Sequence, residues 1–300
     1  MYIDSKKSGG RAFDMTKLVG SMLIFGTVGI VVRNVALPSA FVAMARGFLG
    51  AIVLLLVIFA GKGRPDMKAI KNNALLLLTS GAFIGINWIL LFESYRFTTV
   101  ATATLCYYMA PVFVIVASPF VLKARVSPLK WVCVVLALVG MAFVSEPWSM
   151  GVGDKGALGI LLALGAAFFY ACVTLLNKKM KGISSYDTTV VQLLSAATVI
   201  VPYVLVVDDI TAQMFDAVSV VLLIVLGVVH TGIAYTMFFG SVKALPADTV
   251  ALFSYIDPIV AVLLSALILG EPMTVYGIVG AVLIVTSTLI SELYHPRDGK

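Results

Sequence analysis

TATLCYYMAP at residues 102–111 and TVALFSYIDP at residues 249–258 read as one phrase written twice. Extending the overlay outward at the same offset lays residues 75–145 over 222–292. Gly85 then falls on Gly232, Ser94 on Ser241, Thr102 on Thr249, Tyr108 on Tyr255 and Pro111 on Pro258. The chain is an internal duplication, and the repeat unit spans far more than one hairpin. When each half holds an odd number of membrane spans, the second half must sit upside down relative to the first, which is the architecture of alternating-access transporters.

The spans are legible in the composition. Hydrophobic residues make up 61% of the 300, charged residues only 12%, and the mean hydropathy is +1.06. That balance excludes an ordinary soluble domain, which carries about twice as much charge. A helix needs about 20 apolar residues to cross about 30 Å of hydrocarbon. Ten such runs fall near 17–36, 40–60, 73–95, 99–121, 128–147, 157–178, 186–207, 217–239, 246–269 and 274–294. Val112–Val116 and Val218–Val225 are rich in β-branched residues, yet each lies inside an apolar run of five or six helical turns, so helices are favoured over a barrel. The expected fold is an all-α membrane protein of ten transmembrane helices in two inverted five-helix repeats, at 17–147 and 157–294, after a polar tail at 1–16.

Basic residues set the orientation. Seventeen Lys and Arg, among them Lys17, Lys62, Lys68, Lys130, Lys178 and Lys243, gather on the side of the termini, against Arg33, Arg96 and Lys155 on the other. This positive-inside asymmetry puts both termini in the cytoplasm. The net charge of +6 therefore reports topology and contact with anionic lipid, and nucleic acid is not an expected partner. Residues before Lys17 lack the apolar core and cleavage site of a signal peptide, so the first span is the expected insertion signal. Cys106, Cys133 and Cys172 have no metal-ligand spacing and read as packing residues, so no metal and no cofactor are expected. No GxxxxGK[ST], GxSxG or HExxH motif occurs, which leaves neither an ATP-driven pump nor an enzyme with support.

Each half resembles one EamA domain of the drug/metabolite transporter superfamily. The resemblance rests on Phe25-Gly26-Thr27 in the first span, Pro38 with Arg46-Gly47-Phe48 in the second, and Phe92-Glu93-Ser94-Tyr95-Arg96 closing the third. It continues through Thr98-Thr99-Val100-Ala101 and Pro111-Val112-Phe113. The second half repeats the theme with Lys243-Ala244-Leu245-Pro246-Ala247, Asp257-Pro258 and Leu269-Gly270-Glu271-Pro272. A large ring at Phe25 stands where the family often has Trp. The resemblance implies a central cavity with the fifth and tenth helices peripheral, and transport of amino acids, amines, nucleobases or other small metabolites, frequently outward.

Ionisable groups in hydrocarbon are costly and usually face a partner or a wet cavity. Asp257 lies near the middle of the ninth span, directly before Pro258, and Ala110-Pro111 holds the matching place in the fourth. Each proline removes a backbone donor and clashes with the carbonyl four residues earlier, so both helices should open at mid-depth. The opened backbone beside a carboxylate reads as a substrate or proton site, or as a kink that serves packing. His230, at similar depth in the eighth span, reads either as a proton partner of Asp257 and substrate contact or as a neutral packing residue. Glu93 and Arg46 form a second group, as a structural ion pair, an outer gate, or a reader of substrate charge, with Arg96 able to compete for Glu93. Trp88, Tyr107, Tyr108 and Tyr255 can enclose an ammonium group or stack on a flat ligand, and Asn87 and Ser254 can add hydrogen bonds. The function expected is secondary active transport of a small amino-acid or amine-like metabolite, as an exporter, with protons as a coupling partner. The alternatives are a non-coupled uniporter or exchanger of nucleobases or other solutes, and a non-transporting intramembrane protein. The setting expected is a bacterial inner membrane, in contact with lipid, as a monomer or homodimer.

Overall fold

The computed structural model describes residues 4–61, 63–123, 126–146, 155–208, 210–211 and 214–294. In the first half, α1 (Asp4–Gly26) and α2 (Val28–Arg33) make one span, followed by α3 (Ser39–Ala60), the short α4 (Met67–Asn72) and α5 (Ala74–Phe97). A broken fourth span, α6 (Val100–Tyr107) with α7 (Ala110–Val121), leads to α8 (Pro128–Ser145). The second half holds α9 (Lys155–Asn177) and α10 (Ser185–Val207). Its eighth span is α11 (Ala217–Gly227), a π-helical turn at Val228–Ile233 and α12 (Ala234–Ala244). Then come α13 (Ala247–Ser254), α14 (Ile256–Ile268) and α15 (Val275–Leu293).

Among the described residues, nine helical segments are long and apolar enough to cross a membrane, and the shorter apolar stretch Leu252–Ile268 stands in the place of the ninth expected span. The protein is an integral membrane protein of about ten helices. The valine-rich stretches in α7 and α11 are helical, because in hydrocarbon a helix satisfies its backbone within the segment. The polar segment read from sequence as a tail is helical from Asp4 onward. Helix starts are written in the side chains: Asp66, Thr99, Ser127, Ser184, Asp216 and Thr274 each accept from a backbone N–H in the first turn of the helix they precede, as an N-cap should.

The most extensive helix pairings all join the two halves. Helix α5 packs along α9, α8 along α15, α10 against both α3 and α5, and α1 against α12, while α3 also meets α11 and the π turn. Counted as spans, exchanging each with the span five places on turns the third–sixth pair into the eighth–first pair, and the third–seventh pair into the eighth–second pair; each image is also present. At the α8–α15 contact two glycines face each other's backbone. A Cβ on Gly280 would lie 2.5 Å from the Gly140 carbonyl oxygen, and one on Gly140 would lie 2.8 Å from the Gly280 oxygen, the small-residue contact typical of membrane helices.

The duplication also reaches a turn. Gly270 (φ 63°) ends the ninth span in the left-handed region, and Lys123 (φ 53°), its counterpart in the overlay, ends the fourth in the same conformation. That region costs a residue with a side chain about 1 kcal/mol or more, and glycine almost nothing. Lys123→Gly should therefore leave the fold intact and raise stability by roughly 0.5–1 kcal/mol, read as a higher melting midpoint in detergent. An unchanged or lower midpoint would mean that the lysine side chain offsets its backbone cost.

Candidate functional site

Four spans interrupt their regular helix, and the interruptions meet. The first breaks at Thr27, the fourth at Tyr108 and Met109, the ninth at Tyr255, and the eighth changes to the π turn around His230. Each break frees or misaligns backbone groups, which is tolerated at membrane depth only where protein or a wet cavity receives them. π turns inside α-helices recur at functional sites.

Thr27 Oγ1 lies 2.8 Å from His230 Nε2 and 2.7 Å from the Ile24 carbonyl, and His230 Nδ1 lies 3.2 Å from the Val225 carbonyl. A carbonyl can only accept, so Nδ1 carries the proton shared with Val225. In the neutral ring, Nε2 must then accept from the Thr27 hydroxyl. If the ring takes a second proton, that bond reverses and the hydroxyl turns to Ile24. The residue is nearly fully buried.

On the other side of the same break, the Tyr108 hydroxyl donates to Asp257 Oδ2 at 2.8 Å. Asp257 sits in the first turn of α14, where the helix dipole favours a negative charge, and Pro258 follows where its missing N–H leaves no helical bond unmade. Tyr255 packs on Tyr108 with ring centroids 6.3 Å apart, Tyr107 stands edge-on to Tyr108 at 6.5 Å, and Tyr170 lies 5.5 Å from Tyr107. Gly26 allows this closeness, since a Cβ there would come within 2.8 Å of the Asp257 carbonyl oxygen and 2.7 Å of Val260. His230 and Asp257 are therefore separated by the first-span break, and the direct proton exchange suggested by their similar depth has no hydrogen bond to run through.

The expected Glu93–Arg46 pair does not form. Glu93 binds Arg96 at 3.0 Å and accepts from the Ser39 hydroxyl at 2.8 Å. Arg46, 5% exposed, lays its guanidinium over Trp88 at 4.4 Å and Phe92 at 5.7 Å, and its Nε donates to Thr231 Oγ1 at 2.7 Å. Trp88 thus faces a protein cation rather than an open ligand space. Asn87 is also committed, with Nδ2 donating to the Ala166 carbonyl at 2.6 Å, and Ser254 donates back to Val250 in its own helix at 2.8 Å. The single Ser254 proton is thus used within its own helix, whereas Asn87 has a second N–H and its Oδ1 besides.

Three residues of this layer were given no role from sequence. Thr27 and Thr231 are polar neighbours of Gly26 and Gly232 inside apolar runs, and that adjacency was the available signal. Glu271 is the third. It accepts from the Val100 backbone N–H at 2.8 Å and from the Ser265 hydroxyl, and it lies 3.0 Å from Arg33 Nη1. One carboxylate thus ties the end of the ninth span to the starts and ends of two others. Glu271→Ala should cost about 2–4 kcal/mol by leaving a buried N–H and a cation without their acceptor, measured as a lowered melting midpoint. An unshifted midpoint would show that water replaces it.

At the Arg33 end of the bundle opens a cavity of about 510 Å³, with Arg33, Ser39, Arg96 and Asp208 among its polar lining and Val42, Phe92 and Tyr95 among the rest. Burial pushes the Asp208 carboxyl above its ordinary range, and its Oδ2 has no hydrogen-bond partner among the described residues. A carboxyl raised on folding opposes stability when ionised, and the penalty fades as pH falls through the folded value. Asp208→Asn should accordingly stabilise the protein at neutral pH and change nothing well below pH 4. Equal shifts at both pH values would mean that charge is not the cause. Among the described residues no three His, Cys, Asp or Glu are grouped as a metal site would need.

A family model described as the EamA-like transporter family matches residues 15–146 and 157–293. An uncharacterized transporter, YxxF, of Bacillus subtilis is 28% identical over 290 residues, covering 95% of this chain and 90% of that protein. The protein RarD of Salmonella typhi is 29% identical, with 65% of this chain and 64% of that protein covered. A riboflavin transporter of Vibrio cholerae is 29% identical, with 59% and 60% covered. A crystal structure with a TM-score of 0.65 at 16% identity spans 93% of this chain and 96% of its own, and supports the fold alone.

Proposed function

This chain belongs to the EamA-like transporter family, and on that premise we propose that it exports a small amino-acid or amine-like metabolite across a bacterial inner membrane by proton-coupled alternating access. The observation that carries the reading is the meeting of four broken spans at one level, with Asp257 held there by Tyr108. Bent helices around a mid-depth carboxylate supply what alternating access needs: a site at the pseudo-symmetry axis and hinges on both sides of it. The exchange symmetry of the helix pairings supports two inverted repeats rocking against each other. Both termini face the cytoplasm in this reading, which puts the cavity beside Arg33 on the outer side and the Tyr108–Asp257 pair below it.

Proteoliposomes loaded with a pH-sensitive dye test the coupling. Adding a pool of amino acids and amines outside should acidify or alkalinise the lumen only when the protein is present, and the substrate flux should follow an imposed pH gradient. Substrate flux without proton movement would leave a passive exchanger. That second reading has its own support: the cluster of Tyr107, Tyr108, Tyr170 and Tyr255 suits a flat solute such as a nucleobase or a flavin, and the Vibrio cholerae relative is named a riboflavin transporter.

A further inference from the structure

Arg46 is the unresolved charge of this bundle. It is 5% exposed, and an arginine at such depth ordinarily pairs with a carboxylate or a ring of carbonyls. The ion pairs among the described residues are Lys17–Asp14, Arg33–Glu271 and Arg96–Glu93. None of them includes Arg46. One of its five donors is used, Nε to Thr231, and Thr231 can accept because its own proton goes to the Leu226 carbonyl of α11. The terminal nitrogens make no hydrogen bond to a described residue, and they are not sealed, since neither is among the fully buried atoms left without a partner.

The surroundings hold the fork in place rather than neutralise it. Trp88 lies beneath the guanidinium at 4.4 Å and Phe92 at 5.7 Å, which fixes its plane and leaves the edge with four donors free. Phe92, on which the guanidinium rests, and Val42, one turn from Arg46 on α3, line the 510 Å³ cavity at the Arg33 end, and Arg46 itself does not. Asp257 accepts from Tyr108 at one oxygen and makes no ion pair with Arg46. A guanidinium and a carboxyl are thus linked through Thr231, its neighbour His230, Thr27 and Gly26 without an ion pair between them.

We infer that Arg46 is the site that binds the carboxylate of the transported molecule, with Asp257 facing its ammonium group, so the substrate is a zwitterion of the amino-acid class rather than a simple amine. The inference rests on the transporter reading above. Planar guanidinium matches carboxylate bidentately, and a zwitterion answers both charges at once, which neither an amine nor an organic anion does. Thr231 is a positioning residue, acting through the Nε of Arg46.

Three solute pools test it by thermal shift and by counterflow in proteoliposomes: the twenty amino acids, their decarboxylated amines, and their deaminated acids. The amino-acid pool should stabilise the wild type and drive counterflow more than either single-headed pool. Arg46→Met should lower the affinity for amino acids by about 10–100-fold, the loss of a charged hydrogen-bonding pair, while any response to amines stays. Arg46→Lys, which keeps the charge, and Thr231→Val should fall between, and they carry the test if the methionine variant does not fold. Equal stabilisation by amines and amino acids, or amino-acid binding indifferent to all three substitutions, overturns the inference. Failure of all three pools in a protein that still exchanges a nucleobase or riboflavin also overturns it and leaves the transporter reading standing. Absence of flux for every solute defeats that reading itself.

Discussion

Asp257→Asn is expected to abolish pH-driven accumulation while leaving exchange of internal for external substrate measurable at raised substrate concentration, since the charge that faces the ammonium group is lost with the proton site. Asparagine keeps the shape, and its carbonyl oxygen can still accept from Tyr108, so the bend at Tyr255–Pro258 has no reason to relax. What disappears is a group able to gain and lose a proton in the middle of the bundle. One proton moved per substrate against a one-unit gradient supports about tenfold accumulation, since a pH unit equals 1.36 kcal/mol. The variant should bring that ratio to parity, measured with labelled substrate in proteoliposomes under an imposed gradient. Accumulation that persists at the wild-type ratio would remove Asp257 from the proton path and leave it a contact or a structural role.

The largest expected effect on stability lies far from this site. Gly280→Val places a branched side chain where a single Cβ already comes within 2.5 Å of the Gly140 carbonyl oxygen. The obstacle is backbone, so no rotamer change relieves it and α8 and α15 must separate. Overpacking of this kind costs about 1–3 kcal/mol and occasionally more, and the separated pair also loses the close contact on which membrane helices depend. The expected readout is a sharply lower fraction of monodisperse protein after heating, with Gly280→Ala falling between. Protein of the valine variant that survives should still bind substrate, because Gly280 and Gly140 meet each other's backbone and, besides it, only Val144, Leu283 and Ile284. Wild-type heat resistance would mean that the two helices are free to slide apart.

Sequence reasoning and structure part company for identifiable physical reasons. The breaks in the fourth and ninth spans are visible as Pro111 and Pro258, because proline carries its backbone effect in its covalent structure. The breaks at Thr27 and in the π turn have no proline. At Thr27 the backbone N–H reaches only three residues back, to the Ile24 carbonyl, and in the π turn Thr231 donates five residues back, to Leu226, whereas a composition window sees only one more hydroxyl at each. The pairing expected between Glu93 and Arg46 was argued from depth, which residue counting supplies, whereas a contact also needs the right face of each helix. Arg96 stands one turn from Glu93 on its own helix, a neighbour at i+3, and wins without any tertiary adjustment. Ser254 was offered to a ligand, but a serine in an apolar helix commonly returns its hydroxyl to the carbonyl four residues back. The duplication, the span count and the family motifs were readable because each is a property of many residues at once.

The pairings across the two halves have a consequence for how the protein is made. Helices α3, α5 and α8 find their most extensive partners in α10, α9 and α15, segments that leave the ribosome later. The first five spans therefore enter the bilayer with their best packing surfaces still facing lipid, including the unpaired Arg46. Assembly waits on synthesis of the second copy. Until then the early segments are stable as separate helices but not as a bundle, and the membrane insertion machinery must harbour a half-built protein whose internal charge has yet to meet Thr231.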